Sequence, residues 1–176
     1  MRITISGKPG AGKSTVAKTL ASTLGLQHYS NGDFMRDIAK RRGIPFIELT
    51  KIAETDKSID DELDHRYFEL RKEDNFVIDS RLGFHFIPDL IKVFIDVDTK
   101  KAAERIFKEK RPGQSAASIE EMQAQLQKII ASERIRYKQY YNLDIDDMKN
   151  YDLVIDSSNI SAEKVAEKII KFIKKS

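Results

Sequence analysis

Short apolar segments alternate with longer amphipathic segments along this chain. The apolar segments lie at residues 3–6, 27–30, 76–79, 92–96 and 153–155 and have the spacing or composition of strands. The amphipathic segments at residues 14–24, 33–42, 99–111, 118–141 and 162–175 repeat apolar side chains at helical spacing. This repeated strand–turn–helix order predicts an α/β fold, in which a parallel sheet carries helices on both faces and ligands bind at the carboxyl ends of its strands.

One segment differs in character from the rest. Residues 46–73 predict two polar helices, broken near residues 56–58, with few large apolar side chains, so we expect a cap rather than a part of the core. Helix boundaries elsewhere have clear signals. Gly25 is a natural C-cap, and Ser118 with Glu121 forms a capping box at the start of the longest helix.

Composition narrows the class of protein. The chain has 176 residues, of which 40% are hydrophobic, which is enough for the core of a single domain. Cysteine is absent, and this excludes a disulfide-stapled module and a cysteine-ligated metal site. No apolar run is long enough for a membrane helix, and the segment before the first turn is too short for a signal peptide, so we expect a soluble cytoplasmic protein. The net charge of +3 comes from mixed acidic and basic residues, which disfavours nucleic-acid binding.

The turn after the first predicted strand carries a phosphate-binding motif, G-x-x-x-x-G-K-[ST]. It consists of Gly7, Lys8, Pro9, Gly10, Ala11, Gly12, Lys13 and Ser14 and is followed by Thr15. Backbone N–H groups of such a loop surround an anion, and the following helix adds the positive end of its dipole. We expect Lys13 to contact the β- and γ-phosphates, Ser14 to ligate Mg²⁺ and Thr15 to donate to the α-phosphate. The motif therefore predicts a nucleoside triphosphate with Mg²⁺. A GTPase is disfavoured because no N-K-x-D element is present.

A second group of polar residues follows the second predicted strand. Ser30, Gly32, Asp33 and Arg36 lie where a tight turn opens a helix, with Arg36 one helical turn beyond Asp33 at the helix N-terminus. This arrangement suits an acceptor phosphate held by Arg36. The alternative is an ordinary aspartate N-cap with a solvated arginine, and only the position after a strand favours the phosphate.

The third predicted strand also ends in charged residues. Asp79 could hold a Mg²⁺-bound water beside the phosphate loop, and Arg81 could bind a second phosphate. The alternative is that Asp79 simply pairs with Arg81. We favour the functional interpretation because ligands of open α/β sheets gather at strand ends.

Two further arginine clusters lie late in the chain. On the longest helix, the apolar stripe continues into Glu133 and Arg136, which predicts that this end leaves the core and places Arg136 on the transferring phosphate. The alternative is an exposed pair of Glu133 with Arg136. A basic turn with Arg105 and Arg111 precedes Pro112 and predicts a lid that delivers cations and excludes water, against the alternative of a solvated helix end.

Taken with these motifs, the chain resembles a known family. The stretches GKPGAGKST, SNGDFMR, DSRL and SERIRY, with the tail YNLDIDD and YDLVID, are similar to the short, archaeal-type cytidylate kinases of the nucleoside monophosphate kinase superfamily. The phosphate loop and the G-D-x-x-R element specify only the superfamily, and the tail is more specific. The resemblance covers roughly residues 1–172.

The resemblance implies a P-loop fold with a five-stranded parallel sheet in the order 2-3-1-4-5. It also implies a helical acceptor-binding subdomain at residues 33–73 and a short lid at residues 105–116. The implied reaction is transfer of the γ-phosphoryl group of ATP to CMP or dCMP with Mg²⁺. Lys13 would stabilise the transferring group, Arg36 and Arg81 would hold the acceptor phosphate, and Arg111 and Arg136 would come from the lid and the long helix.

Departures from the family pattern leave the acceptor base open. Leu82 stands where the longer bacterial branch has an acidic residue, and Ile129 stands where many relatives have another arginine. A kinase that prefers AMP or UMP remains the alternative within the class, although the G-[FY]-P-R element of adenylate kinases is absent. The alternative of another class is a nucleotide-dependent switch that binds RNA or a protein. We expect small-molecule nucleotides as the partners of a monomer.

Overall fold

Five parallel strands form one sheet in the order β2-β3-β1-β4-β5. The computed structural model describes residues 1–109 and 116–175, without the side chains of residues 46, 47 and 50. The strands are β1 (Arg2–Gly7), β2 (Gln27–Ser30), β3 (Phe76–Asp79), β4 (Ile91–Asp96) and β5 (Leu153–Asp156). Every neighbouring pair is parallel, with Ile5 opposite Asp79 and Ser30 opposite the same residue on the other side. The predicted fold class and strand order are confirmed.

Helices connect and cover the strands. They are α1 (Lys13–Leu24), α2 (Asn31–Arg42), α3 (Phe46–Ile52), α4 (Ser58–Leu70), α5 (Gly83–Phe86), α6 (Thr99–Glu109), α7 (Ile119–Tyr141) and α8 (Ala162–Ile173), with a 3-10 turn at Met148–Asn150. The short helix α5 and the 3-10 turn were not predicted. No helix in the described ranges is both long and apolar enough to span a bilayer.

The predicted helix boundaries are mostly correct. Gly25 ends α1 in the left-handed conformation, and the Ser118 hydroxyl accepts a hydrogen bond from the Glu121 N–H. The start of α2 is a correction, because the helix begins at Asn31 with Ser30 as its N-cap. Asp33 therefore lies within the first turn and is not the cap residue.

The sheet separates two apolar cores. The first core lies between the sheet and α1, α6, α8 and the beginning of α7, and Val77 points into it. The second core lies on the opposite face against α2, α3 and α4, and receives Phe76 and Ile78. Alternating side chains of β3 thus serve both faces, as expected of a strand covered on both sides.

The prediction that residues 46–73 cap the sheet without joining its core is wrong. Ile59, Leu63, Tyr67 and Leu70 recur at helical spacing on α4 and are buried in the second core, together with Leu49 of α3. Each such side chain contributes about 1.5–3 kcal/mol on burial. The prediction failed because it rested on the composition of the segment, in which charged residues lie between the apolar positions.

The end of α7 is a third correction. Tyr137 is only 4% exposed and packs in the second core, so this part of the helix does not leave the core as predicted. Met122 and Leu126, near the beginning of α7, belong to the first core. The helix therefore crosses from one core to the other and brings Glu133 and Arg136 to the boundary between them.

Candidate active site

The phosphate loop, residues 7–14, connects β1 to α1 at the carboxyl edge of the sheet. Glycine is required at two of its turns. A Cβ at Gly7 would overlap the carbonyl oxygen of Ile95, and one at Gly10 would lie 2.7 Å from the Cβ of Ala102. Both glycines also have positive φ angles, 140° and 78°. The helix α1 starts at Lys13 without a side-chain cap, so the N–H groups of its first turn remain suited to an anion.

Two lysines brace this loop. The Lys13 Nζ donates to the carbonyl oxygen of Lys8 at 2.9 Å, which folds its side chain back over the loop. The Lys8 Nζ lies 2.7 Å from Asp96 Oδ1 at the end of β4. Pro9 and Ala11 belong to the same turn, while Ser14 and Thr15 are exposed in the first turn of α1.

Ser14 and Asp79 meet where β1 and β3 end. The Ser14 hydroxyl donates a short hydrogen bond to Asp79 Oδ2, and the aspartate is 8% exposed. The alternative pairing of Asp79 with Arg81 is wrong, because Arg81 binds Glu133 instead.

This pair of oxygen ligands fits Mg²⁺. The ion is commonly held by one or two protein oxygens, with water and substrate phosphates completing its coordination. In the described ranges no group of three or more His, Cys, Asp or Glu side chains that could hold a metal ion occurs. Ser14 and Asp79 are the residues that would hold the ion.

The residues that follow β2 are the ones for which the sequence predicts a second anion-binding site. The Arg36 Nη2 lies 2.5 Å from Asp33 Oδ1. A Cβ at Gly32 would lie 3.6 Å from the same Nη2 and 3.5 Å from the Ser30 Oγ, so the guanidinium lies over Gly32 beside Ser30. About 60% of each charged side chain is exposed, at 59% for Arg36 and 58% for Asp33. The role of these residues toward an acceptor phosphate stays a prediction.

Arg81 connects the end of β3 to α7. Its Nη2 lies 3.0 Å from Glu133 Oε2, and the two side chains are only 13% and 20% exposed. The alternative of an exposed ion pair between Glu133 and Arg136 is therefore wrong. Arg136 instead donates from Nη2 to the Tyr137 hydroxyl at 3.1 Å, while its buried Nε has no hydrogen-bond partner among the described residues.

Arg105 lies behind the phosphate loop. Its Nη1 is 3.4 Å from the Gly10 carbonyl oxygen, and its Nη2 donates to the Ser157 carbonyl at 2.6 Å. These contacts support the loop, and a catalytic role for Arg105 stays a prediction. Arg111 and residues 110–115 of the expected lid lie outside the described residues.

Ser157, which is 1% exposed, was not among the predicted site residues. Its hydroxyl contacts the carbonyl oxygens of Ala11, at 3.1 Å, and Asp96, at 3.0 Å. Both partners are distant in sequence, and a serine after a strand gives no local signal for such a contact.

A cavity lies between α2, α4 and the end of α7. Its lining includes Asn31, Asp60, Asp64, Leu82 and Arg136. Burial raises the pKa of Asp60, against the opposing charge of Arg136. Burial also raises the pKa of Asp64 to about 6, although a hydrogen bond from the Tyr141 hydroxyl opposes it. Neither carboxylate was among the predicted site residues.

Solved structures share this fold. The chain superposes on shikimate kinase from Bacteroides thetaiotaomicron with a TM-score of 0.67, at 16% identity, over 99% of this chain and 98% of the other. At this identity the likeness extends to the fold alone.

Proteins related in sequence identify the family, whereas the solved structures identify only the fold. The chain is 39% identical to the cytidylate kinase of Sulfolobus acidocaldarius, over 98% of this chain and 94% of that protein. It is 38% identical to the cytidylate kinase of Methanocaldococcus jannaschii, over 94% and 93% of the two chains. The model of the cytidylate kinase-like family matches residues 2–159. With its phosphate loop and its arginines gathered at one edge of a 2-3-1-4-5 sheet, the chain therefore belongs to the cytidylate kinase-like family.

Proposed function

We propose that the chain is an ATP-dependent cytidylate kinase, which converts ATP and CMP or dCMP into ADP and the corresponding diphosphate. The observation that carries this proposal is the arrangement of the strand ends. The phosphate loop follows β1, Arg81 follows Asp79 at the end of β3, and β2 ends at Ser30, in the spatial order β2-β3-β1. Adjacent strands are about 4.8 Å apart, so the ends of β1 and β2 lie roughly 10 Å apart, with the end of β3 between them.

The choice of acceptor base is supported by the relatives. The two archaeal proteins described above are named cytidylate kinases and align over nearly the whole chain. The range that the family model matches, residues 2–159, includes the phosphate loop and the elements that carry the arginines. We therefore assign the acceptor side to residues 33–73 together with Arg81 and the end of α7.

The chemistry required of the protein is mainly electrostatic. An acceptor phosphate with a second pKa near 6 is already largely ionised at neutral pH, so it attacks the γ-phosphorus without a general base. Lys13 neutralises the charge on the transferring group, and the N–H groups of the loop hold the donor phosphates. When bound, Mg²⁺ adds positive charge on the β- and γ-phosphates.

The acceptor side holds the second phosphate. In this proposal Arg36 and Arg81 bind its oxygens, and Arg81 exchanges its partner Glu133 for the phosphate. Arg136, on the same helix as Glu133, faces the transferring group, and Arg111 approaches from the lid. Positioning both phosphates in line converts the reaction into an effectively unimolecular step.

Product analysis by chromatography tests the proposal. The protein is given ATP and Mg²⁺ with CMP, dCMP, UMP, AMP, GMP or dTMP in separate reactions, and each diphosphate is quantified. We expect CMP and dCMP to exceed the others by at least about tenfold, equivalent to about 1.4 kcal/mol. Preference for AMP or UMP would refute the assigned acceptor. ATP binding without any turnover would refute the kinase and favour a nucleotide-dependent switch.

A further inference from the structure

Asp60 is a buried carboxylate with an unused oxygen. The side chain is 3% exposed, and its Oδ2 has no hydrogen-bond partner among the described residues. Burial of a carboxylate is costly unless donors compensate it. Because Asp60 lines the cavity between α2, α4 and α7, a ligand in this cavity can supply the missing donor.

The neighbouring acidic residues do not share this property. The Tyr141 hydroxyl lies 3.1 Å from Asp64 Oδ1 and 3.0 Å from Asp64 Oδ2, so that carboxylate already has a donor. Asp61 is exposed and pairs with Lys57 at 3.0 Å. Asp60 therefore differs from Asp61 and Asp64, because it faces the cavity with an oxygen, Oδ2, for which the described part of the chain provides no donor.

The cavity is next to the proposed acceptor-phosphate site. Asn31 precedes Gly32 of that site, and Leu82 follows Arg81, and both line the cavity. The remaining lining includes the aromatic rings of Tyr67 and Tyr137 and the apolar side chain of Met35. A flat, largely apolar ligand attached to a phosphate fits this chemistry, as expected of a nucleotide site.

We propose that Asp60 determines the acceptor specificity by accepting a hydrogen bond from the exocyclic amino group of a cytosine base. The inference rests on the proposed function and adds to it the residue that recognises the base. Cytosine presents this amino group as a donor, whereas uracil presents a carbonyl oxygen at the same position. With UMP bound, the uracil carbonyl oxygen would face the Asp60 carboxylate, and neither group can donate a hydrogen bond. The buried carboxylate would then stay unpaired, and this selects against UMP.

The size of the cavity determines whether a base can enter it without a movement of the helices. Its volume is about 60 Å³, which is room for a few water molecules and is smaller than a pyrimidine ring. Nucleotide binding therefore requires α2 and α4 to separate from the end of α7. Such a movement would let the amino group reach Asp60 Oδ2.

The test is a comparison of Asp60→Asn with Asp61→Asn. Both substitutions remove one negative charge from α4, but only the first changes the cavity. For each protein, kcat/KM is measured with CMP and UMP, and thermal unfolding and ATP binding verify the fold. We expect Asp60→Asn to lower the CMP-to-UMP ratio at least tenfold, since an amide can donate to the uracil carbonyl. Asp61→Asn should retain the wild-type ratio.

A chemical variant makes the test independent of folding. A pyrimidin-2-one nucleotide lacks the amino group, and we expect the wild-type protein to use it at least tenfold less efficiently than CMP. A wild-type protein that prefers CMP but uses this nucleotide equally well would overturn the role of Asp60, as would an unchanged ratio in folded Asp60→Asn. Either result leaves the proposed function intact. A wild-type protein that does not phosphorylate CMP would overturn both proposals.

Discussion

The phosphate loop and the acceptor side hold their charged groups in different ways. The loop is one continuous segment, held by glycines that approach β4 and α6 closely and braced by Asp96, Arg105 and Ser157. The acceptor side is assembled from α2, α4, β3 and α7. Two of its arginines pair with carboxylates, Arg36 with Asp33 and Arg81 with Glu133.

This difference indicates which of the two regions selects between nucleotides. A loop formed by local sequence binds the phosphates common to all nucleoside triphosphates. A surface formed from distant segments can vary its buried polar groups, and Asp60 is such a group. We therefore expect changes in the loop to affect catalysis with every acceptor, and changes on the acceptor side to affect one nucleotide more than another.

The largest effect is expected from Lys13→Ala. The substitution removes the positive charge that faces the transferring phosphoryl group. It should lower kcat by about 10³-fold or more for every acceptor, because electrostatic stabilisation dominates phosphoryl transfer. Steady-state kinetics measures the effect, and thermal unfolding verifies that the fold survives. Lys18→Ala, an exposed position on the same helix, is the matched control. Retention of most activity in Lys13→Ala would contradict the assigned role.

Gly10→Ala tests the packing of the loop. Its positive φ and the approach to Ala102 should together lower the free energy of unfolding by about 2–4 kcal/mol and impair ATP binding. Gly43→Ala is the control, because Gly43 has a similar φ of 67° with open space around it, and should cost only about 1 kcal/mol. Urea unfolding compares the two variants. Equal costs would show that close packing at Gly10 does not hold the loop.

Arg36→Ala should act on the acceptor alone. We expect the KM for CMP to rise about 10- to 100-fold while the KM for ATP changes little, because a charge-assisted contact to the acceptor phosphate is lost. Arg41→Ala, on the same helix and paired with Asp37 and Glu62, is the control. An unchanged KM for CMP with full kcat would exclude Arg36 from the site.

The smallest effect concerns the pH dependence of stability. The pKa of Asp64 is about 6 in the folded protein against 3.8 unfolded, so its contribution favours the folded state below pH 3.8 and is lost as pH rises through 6. Asp64→Asn resembles the protonated form. Its melting temperature relative to wild type should therefore be higher at pH 7.5 than at pH 5. A difference that is constant over this range would contradict the raised pKa.

Local signals predicted much of the molecule. The five strands, the loop and the capping of α1 and α7 follow from patterns within about ten residues, and the strand order follows from the family resemblance. The second core was missed because charged residues surround the apolar positions of α4. Asp60 was missed because S-I-D-D-E-L-D is typical of an exposed helix start, and only packing against α2 and α7 buries this carboxylate.

Contacts between distant segments could not be predicted from the sequence. Arg81 has Glu133 as its partner, and Arg105 contacts residues that follow β5. Both arginines were chosen by their position near a strand end or a basic turn. Which carboxylate or carbonyl each guanidinium meets depends on how the helices pack on the sheet.

A competition reaction tests the central claim most directly. Equimolar CMP, UMP and AMP are mixed with ATP, Mg²⁺ and the wild-type protein, and the diphosphates formed early in the reaction are quantified by chromatography. The initial product ratio equals the ratio of the kcat/KM values. We predict that CDP exceeds UDP and ADP made from AMP at least tenfold, with isotopically labelled AMP separating that ADP from the product of ATP. Predominant UDP or labelled ADP, or no diphosphate beyond the Lys13→Ala background, would contradict a cytidylate kinase.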